Sequence, residues 1–222
     1  MYDTLLQLPL FQGLSKEDLT NILAKVKLHF LRFKDDEVIL EAGTTCDLFM
    51  FIIKGAISAT TISPDGSYEV TEFVHAPCLL EPQSMFGMNT QFVSTYTAQT
   101  EVQAVSIDKD FVVKELLKYD IFRLNYINQI GYRAQLLAAK LWSSERLSVE
   151  GRIVHFLQMH TERNAGRKEL KVKMERLAHI VNDTRLSVSR ALNDMQSRGL
   201  LRLSRGEIVI PDMALLLRNS RE

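Results

Sequence analysis

Two arginines in the C-terminal third, Arg185 and Arg190, lie in a stretch that has the apolar spacing of a short helix. The predicted inward stripe of this helix has spacing i, i+4, i+7 and consists of Val188, Leu192 and Met195. The arginines lie off that stripe, so they are expected to face outward. Because arginine can donate two parallel hydrogen bonds to the acceptors of guanine, the stretch is a candidate DNA-reading helix.

The residues that precede this helix support the interpretation. Thr184 is a suitable N-cap, Asn182 and Asp183 tolerate turn geometry, and the small Ala178 allows a preceding helix to approach closely. Two arginines on a helix most often form only a solvated face, but here they lie in the second helix of a helix-turn-helix, whose first turns read bases. The predicted DNA-contacting residues are Thr184, Arg185, Leu186, Ser187, Ser189 and Arg190.

The elements around this motif complete a winged helix-turn-helix over residues 146–222. An apolar helical pattern covers residues 150–160, and the runs 200–203 and 207–210 flank the turn Ser204-Arg205-Gly206 as a hairpin. Charge is divided in the same way. Residues 146–222 carry 15 lysines and arginines against 9 acidic residues, whereas residues 1–145 carry 12 against 18. A basic end on an acidic body favours a polyanionic partner.

The N-terminal part has a β pattern, so the fold class is α+β. A capped helix is predicted over residues 15–27. Short β-rich runs separated by glycine-containing turns follow, and they indicate a double-stranded β-roll of jelly-roll type over residues 1–118. The runs are 38–40, 48–53, 57–62, 70–74 and 102–107.

A helix from Asp120 to about Ser144 connects the two parts and has apolar residues at alternating spacings of three and four. This heptad seam consists of Ile127, Ile130, Ala134, Leu137 and Leu141. Two heptads fit either a dimerisation helix or an amphipathic helix packed on its own domain. We expect residues 119–145 to form a dimerisation helix that ends in a hinge at Ser143-Ser144.

Composition excludes several classes of protein. Hydrophobic residues make up 46% of the chain and charged residues 24%, which is typical of globular domains. No run is apolar and long enough to span a membrane, and the first four residues lack the basic character of a signal peptide. Two cysteines fit a reducing compartment, so a cytoplasmic location is expected. No nucleophile–base pairing, metal-ligand spacing or phosphate loop indicates an enzyme.

Taken in order, these motifs resemble the Crp/Fnr family of transcription regulators over almost the whole chain. The resemblance rests on Pro9–Ser15, the turn glycines Gly43 and Gly55, Gly151-Arg152-Ile153, the helix-turn-helix and the wing glycine Gly206. It implies a homodimer on a palindromic double-stranded DNA operator, with RNA polymerase as a further partner. It also implies a cyclic-nucleotide-binding-like roll. The effector pocket would then include Glu81, Phe92, Val93, Thr95, Tyr132 and Leu136.

The pocket departs from the family pattern that binds cyclic nucleotides. In that pattern an arginine neutralises the cyclic phosphate and a glutamate holds the ribose. The arginine and serine positions fall near Phe92 and Val93, and no arginine occurs between Lys54 and Lys109. Glu81 matches the glutamate, but Pro82 follows it. Because a buried phosphate without a cation is costly, the sequence disfavours cyclic AMP and leaves the effector unidentified.

Other cofactors of the family are also disfavoured. Residues 1–45 contain no cysteine, and two cysteines cannot ligate an iron–sulfur cluster. His75 and Cys78 are close enough in sequence to be considered as haem ligands, although a strand-end histidine and a buried cysteine are the simpler interpretation. No metal site is predicted. A cyclic-nucleotide-binding or haem-binding sensor remains the alternative to a DNA-binding regulator.

Overall fold

The computed structural model describes residues 8–142 and 148–220. They form two compact units: the first contains the chain up to Ser58 together with 74–134, and the second contains 59–73 together with the chain from Gln135 onward. The predicted hinge at Ser143-Ser144 lies outside the described residues. The same is true of the first four residues, on which the expectation about a signal peptide depends.

The strands are short and most of them follow the predicted runs. They are β1 (His29–Phe33), β2 (Val38–Leu40), β3 (Leu48–Lys54), β4 (Ala56–Ile62), β5 (Tyr68–His75), β6 (Cys78–Leu79), β7 (Thr95–Ala98), β8 (Val102–Asp108), β9 (Lys168–Val172), β10 (Arg202–Ser204) and β11 (Glu207–Ile210). The helices are α1 (Lys16–Lys25), α2 (Lys109–Lys114), α3 (Asp120–Trp142), α4 (Val149–Met159), α5 (Met174–Ile180), α6 (Arg185–Ser197) and α7 (Met213–Asn219). Two 3-10 helices cover Pro82–Met85 and Leu116–Lys118.

The first unit is an antiparallel β structure. One sheet has the strand order β1-β8-β3-β6, and β2 pairs with β7, whose other neighbour is β4. Gly55 makes the tight turn from β3 into β4 with a φ of 103°. A Cβ atom there would lie 2.6 Å from the carbonyl oxygen of Glu101, so only glycine fits.

Aromatic side chains form the centre of this unit's core. The Phe11 ring lies 5.8 Å from that of Phe51 and 5.3 Å from that of Phe122, which belongs to α3. All three rings are almost fully buried, so the chain before α1 and the first turn of α3 are both anchored on the β structure.

The second unit consists of helices packed on a sheet. Strands β10, β11 and β9 are consecutive neighbours, and the other edge of β9 pairs antiparallel with β5. The core includes Ile153 and Leu157 of α4, Leu177 of α5, and Val188 and Leu192 of α6, all at most 1% exposed. In the described parts of the chain, no helix is both long and apolar enough to cross a membrane.

Candidate nucleic-acid interface and effector site

The start of α6 is built as its sequence predicts. Thr184 is the N-cap, and its hydroxyl oxygen accepts the Ser187 N–H at 3.1 Å. Asn182 has a φ of 51°, the left-handed geometry that a tight helix–helix turn requires. The predicted turn and cap are therefore confirmed, and together they set the direction of α6 relative to α5.

The two faces of α6 also match the prediction. Val188, Leu192 and Met195 are fully buried. Arg190 is exposed, and Leu186 is 60% exposed. Among the other predicted contact residues, Thr184 and Arg185 are exposed, whereas Ser187 and Ser189 are half-buried. These contact residues therefore present two cations and three hydroxyls around one apolar side chain.

Arg152 of α4 contacts the turn of the helix-turn-helix. Its Nε donates to the carbonyl oxygen of Val181 at 2.8 Å, and its guanidinium pairs with Asp183 in the turn. The Thr184 N–H and the Ser187 hydroxyl, with Arg152, lower the pKa of Asp183, so this carboxylate remains ionised and paired at neutral pH. The sequence placed Arg152 in a family motif but gave no signal for this contact.

Arg185 and Arg190 have different surroundings. Arg185 Nη1 lies 3.0 Å from a carboxylate oxygen of Glu175, which is on α5. Both side chains are well exposed, at 70% and 65%, so this surface pair is weak and easily exchanged for another anion. Arg190 is also exposed and lies one turn further along α6.

The wing also carries exposed cations. Strands β10 and β11 pair antiparallel, and Arg205 and Gly206 form the turn between them, with Gly206 at a φ of 76°. Arg202 and Arg205 are both exposed. A hairpin with one exposed cation in its strand and another at its tip is suited to phosphate contacts.

The predicted seam of α3 is an unusually exposed apolar row. Leu141 is 64% exposed, Ile127 56% and Leu137 45%; Ala134 is exposed and Ile130 half-buried. By contrast, Phe122 on the same helix is fully buried in the first unit. The seam therefore does not pack into the core that holds the first turn of α3.

Glu81, one of the predicted effector-site residues, is only 2% exposed. One carboxylate oxygen accepts the Val93 N–H at 2.9 Å and the Ser84 hydroxyl at 2.8 Å. The other accepts the Ser94 N–H at 2.8 Å and the Tyr96 hydroxyl at 3.1 Å. All four groups donate, which suits an ionised carboxylate because it is an acceptor only.

The structure brings some of the other predicted pocket residues to Glu81 and not others. Val93 meets it through its backbone, although its side chain is 56% exposed. Phe92 is buried in the core of the first unit, and the Thr95 hydroxyl accepts the Ala42 N–H at 3.1 Å. Tyr132 is 63% exposed, and Leu136 belongs to the second unit.

The two residues considered for haem differ in exposure. His75 is exposed at the end of β5, whereas Cys78 is buried in β6 opposite Ile52 of β3. Within residues 8–142 and 148–220, no three His, Cys, Asp or Glu side chains are grouped so that they could hold a metal ion.

Comparison with known proteins places this geometry in a family. The Crp-like helix-turn-helix domain matches residues 151–218, and the cyclic nucleotide-binding domain matches residues 30–119. The CRP-like cAMP-activated global transcriptional regulator of Mycobacterium tuberculosis is 24% identical over 232 residues, which cover all of both chains. The chain belongs to the Crp/Fnr family of transcription regulators.

Solved structures agree with the fold expected of a Crp/Fnr regulator. The catabolite activator protein of Thermus thermophilus has a TM-score of 0.54 at 16% identity, covering 96% of this chain and 98% of that one. The c-di-GMP-responsive global regulator of Xanthomonas campestris has a TM-score of 0.50 at 19% identity, covering 89% and 99%. The predicted architecture of β-roll, long helix and winged helix-turn-helix is thus confirmed for this Crp/Fnr regulator.

Proposed function

We propose that this Crp/Fnr regulator binds a palindromic DNA operator as a homodimer, with α6 as the reading helix, and that its effector is not cyclic AMP. The observation that carries the DNA-binding part is the outward face of α6, where Arg185 and Arg190 are exposed opposite a fully buried stripe. A folded helix with this polarity can enter the major groove without unfolding or repacking.

The exposed seam of α3 supports the homodimer. Leucine and isoleucine side chains exposed by 45–64% in a row along one helix bury apolar area when a second copy covers them. A two-fold axis would pair the seam with itself. It would also bring two copies of α6 into one complex, which a palindromic operator requires because its half-sites lie about 34 Å apart.

The closed environment of Glu81 supports an effector other than a cyclic nucleotide. Relatives named above are described as cAMP-activated and c-di-GMP-responsive. In this chain Glu81 already accepts four internal hydrogen bonds, including the N–H groups of Val93 and Ser94. No lysine or arginine lies between Lys54 and Lys109 to neutralise a phosphate. A nucleotide would therefore have to displace Glu81 from its donors and bury its own charge without a partner.

Titration with cyclic nucleotides tests this part of the proposal. We expect isothermal calorimetry of the full chain with cyclic AMP and with cyclic GMP to give no binding heat, because neither phosphate would find a cation. The Mycobacterium tuberculosis relative, titrated in the same buffer, is the positive control. Micromolar binding of either nucleotide would favour the alternative, a cyclic-nucleotide sensor.

Selection of operator sequences from genomic fragments tests DNA binding as such. A palindromic consensus with half-sites one helical turn apart is expected if two copies of α6 read the site. Recovery of no enriched sequence would contradict the proposed function. If operators are recovered, transcription from them tests contact with RNA polymerase, which the family resemblance implies.

The variant Arg190→Ala tests the reading helix. We expect a loss of about 1–3 kcal/mol in operator binding and relaxed preference at one base position in each half-site, because a bidentate contact to guanine is removed. Binding titrations against an operator library measure both quantities. Arg218→Ala is the matched control, since Arg218 is an exposed arginine on α7. Equal affinity and equal discrimination in the two variants would show that Arg190 does not read a base.

A further inference from the structure

Residues 59–73, here called the acidic hairpin, come from the N-terminal part of the sequence but fold in the second unit. The segment contains three acidic residues and no lysine, arginine or histidine. Each acidic residue pairs with a cation from the DNA-binding part: Asp65 with Arg176 at 2.7 Å, Glu69 with Lys171 at 2.8 Å and Glu72 with Lys168 at 2.8 Å.

Backbone pairing joins the hairpin to the sheet formed by β10, β11 and β9, here called the wing sheet. Strand β5 lies antiparallel to β9, with five consecutive pairs from Tyr68 opposite Val172 to Glu72 opposite Lys168. The other edge of β9 is occupied by β11. The acidic hairpin therefore covers the edge of the wing sheet that would otherwise be open.

Side chains of the hairpin also complete the core of the second unit. Val70 is 2% exposed and belongs to the same apolar cluster as Leu170 and Leu177. The Tyr68 ring packs edge-on against Phe156 of α4 at 5.2 Å, and its hydroxyl lies 2.8 Å from His160 Nε2. Removal of the hairpin would expose this part of the core to water.

Glu72 makes the contact that is hardest to break. Lys168 is fully buried, and its Nζ also donates to the carbonyl oxygen of Ala165 at 3.0 Å. The Glu72 carboxylate accepts the N–H groups of Glu162 and Arg163 at 2.5 and 3.2 Å. Withdrawal of Glu72 would leave a buried cation without its carboxylate, which is strongly destabilising.

The tip of the hairpin contacts the helix-turn-helix itself. Arg176 lies on α5, and its Nε donates to the Ser67 hydroxyl at 2.9 Å while its Nη2 donates to Asp65. The hydroxyls of Ser67 and Ser63 hold the pKa of Asp65 at about 2, so the pair with Arg176 is present throughout the neutral range. The hairpin thus reaches from the wing sheet to the helix that precedes the reading helix.

We infer that the acidic hairpin is an integral part of the sheet in the DNA-reading unit, although it comes from the N-terminal part of the chain, and that it stays docked when DNA is bound. Its ends continue into β4 and β5 residues that belong to the first unit. The hairpin therefore adds two covalent connections between the first and the second unit, one at each of its ends, to the connection that α3 makes. The inference rests on the proposed DNA-binding function, since it states that the hairpin stays docked while the protein binds DNA.

Hydrogen exchange of the full chain without DNA gives a first test that does not depend on the operator. In Glu72→Ala we expect the amides of β9 and α5 to exchange at least about tenfold faster than in the wild type, whereas those of β3 and β8 stay unchanged. Glu69→Ala is the matched control on the same strand, because its pair with Lys171 is more exposed, and we expect less than a twofold change there. Unchanged exchange in Glu72→Ala would overturn the inference.

A reversible cross-link tests whether the hairpin stays docked on DNA. Glu69→Cys combined with Lys171→Cys places two thiols opposite each other across β5 and β9, and the two native cysteines are buried. We expect the operator affinity of the oxidised double-cysteine chain to lie within about twofold of that of its reduced form. The operator affinity of Glu72→Ala should be at least about tenfold lower than that of the wild type. Loss of binding on oxidation, restored by a reductant, would show instead that the hairpin must open. Failure of the wild type to select an operator would refute the proposed function and leave the exchange result standing.

Discussion

The variant Leu137→Asp is expected to be a monomer that no longer holds its operator. Leu137 lies in the seam of α3 with 45% of its surface exposed in the single chain. In a two-fold dimer the substitution would bury two like charges against each other, without a cation and away from water. Sedimentation should show the monomer at micromolar concentration. Operator affinity should fall by about 100-fold or more, because each half-site is then bound independently.

The charge-matched control lies on the same helix. Asn128 is exposed and off the seam, so Asn128→Asp adds the same charge to α3 without entering the proposed interface. This variant should remain a dimer and bind the operator at wild-type affinity. Both variants should keep the wild-type circular dichroism spectrum, since neither position is buried in the single chain. An intact Leu137→Asp dimer at micromolar concentration would place the interface on another surface.

The helix-turn-helix could be predicted because its signals are local. The signals are the left-handed residue Asn182, the N-cap Thr184 and the buried stripe from Val188 to Met195, all within residues 182–195. Each feature has its own steric or hydrogen-bonding requirement, and these requirements agree on one structure. The same holds for Gly55, whose turn can accommodate no side chain.

The acidic hairpin could not be assigned from its sequence. Residues 57–62 and 70–74 were correctly predicted as strands, but strand alternation does not encode which sheet a strand joins. Glu72 meets Lys168 across almost a hundred positions, and a local pattern contains no information about such a contact. The charge complementarity between the acidic segment and the basic C-terminal part was visible only as an overall division of charge.

The environment of Glu81 was missed for a related reason. The resemblance matched Glu81 to the glutamate that holds the ribose. It matched Phe92 and Val93 to the positions where the family has its phosphate-binding arginine and serine. The N–H groups of Val93 and Ser94, however, carry no sequence signal, because every residue except proline has one. Only the folded backbone reveals that the Glu81 carboxylate accepts these two N–H groups.

Glu81→Ala is therefore expected to lower the free energy of unfolding by about 3 kcal/mol or more. The substitution leaves four buried or half-buried donors without their acceptor, and each unsatisfied donor costs about 1–3 kcal/mol before water enters. Chemical denaturation of the full chain measures the loss. A change below about 0.5 kcal/mol, the range of ordinary surface substitutions, would mean that the carboxylate is not the acceptor that holds this site together.

Two further substitutions at Glu81 separate the effect of losing the carboxylate from the effect of backbone strain. Glu81 has a φ of 36°, where glycine is less strained than alanine, so Glu81→Gly should be more stable than Glu81→Ala by about 1 kcal/mol. Glu81→Gln keeps the volume but turns an amide donor toward groups that also donate, so it should lie between the wild type and these two. Acetate at constant ionic strength should raise the melting temperature of Glu81→Ala, because a bound carboxylate replaces the lost acceptor. It should leave Glu81→Gln unchanged, since the glutamine side chain fills the space that acetate would need.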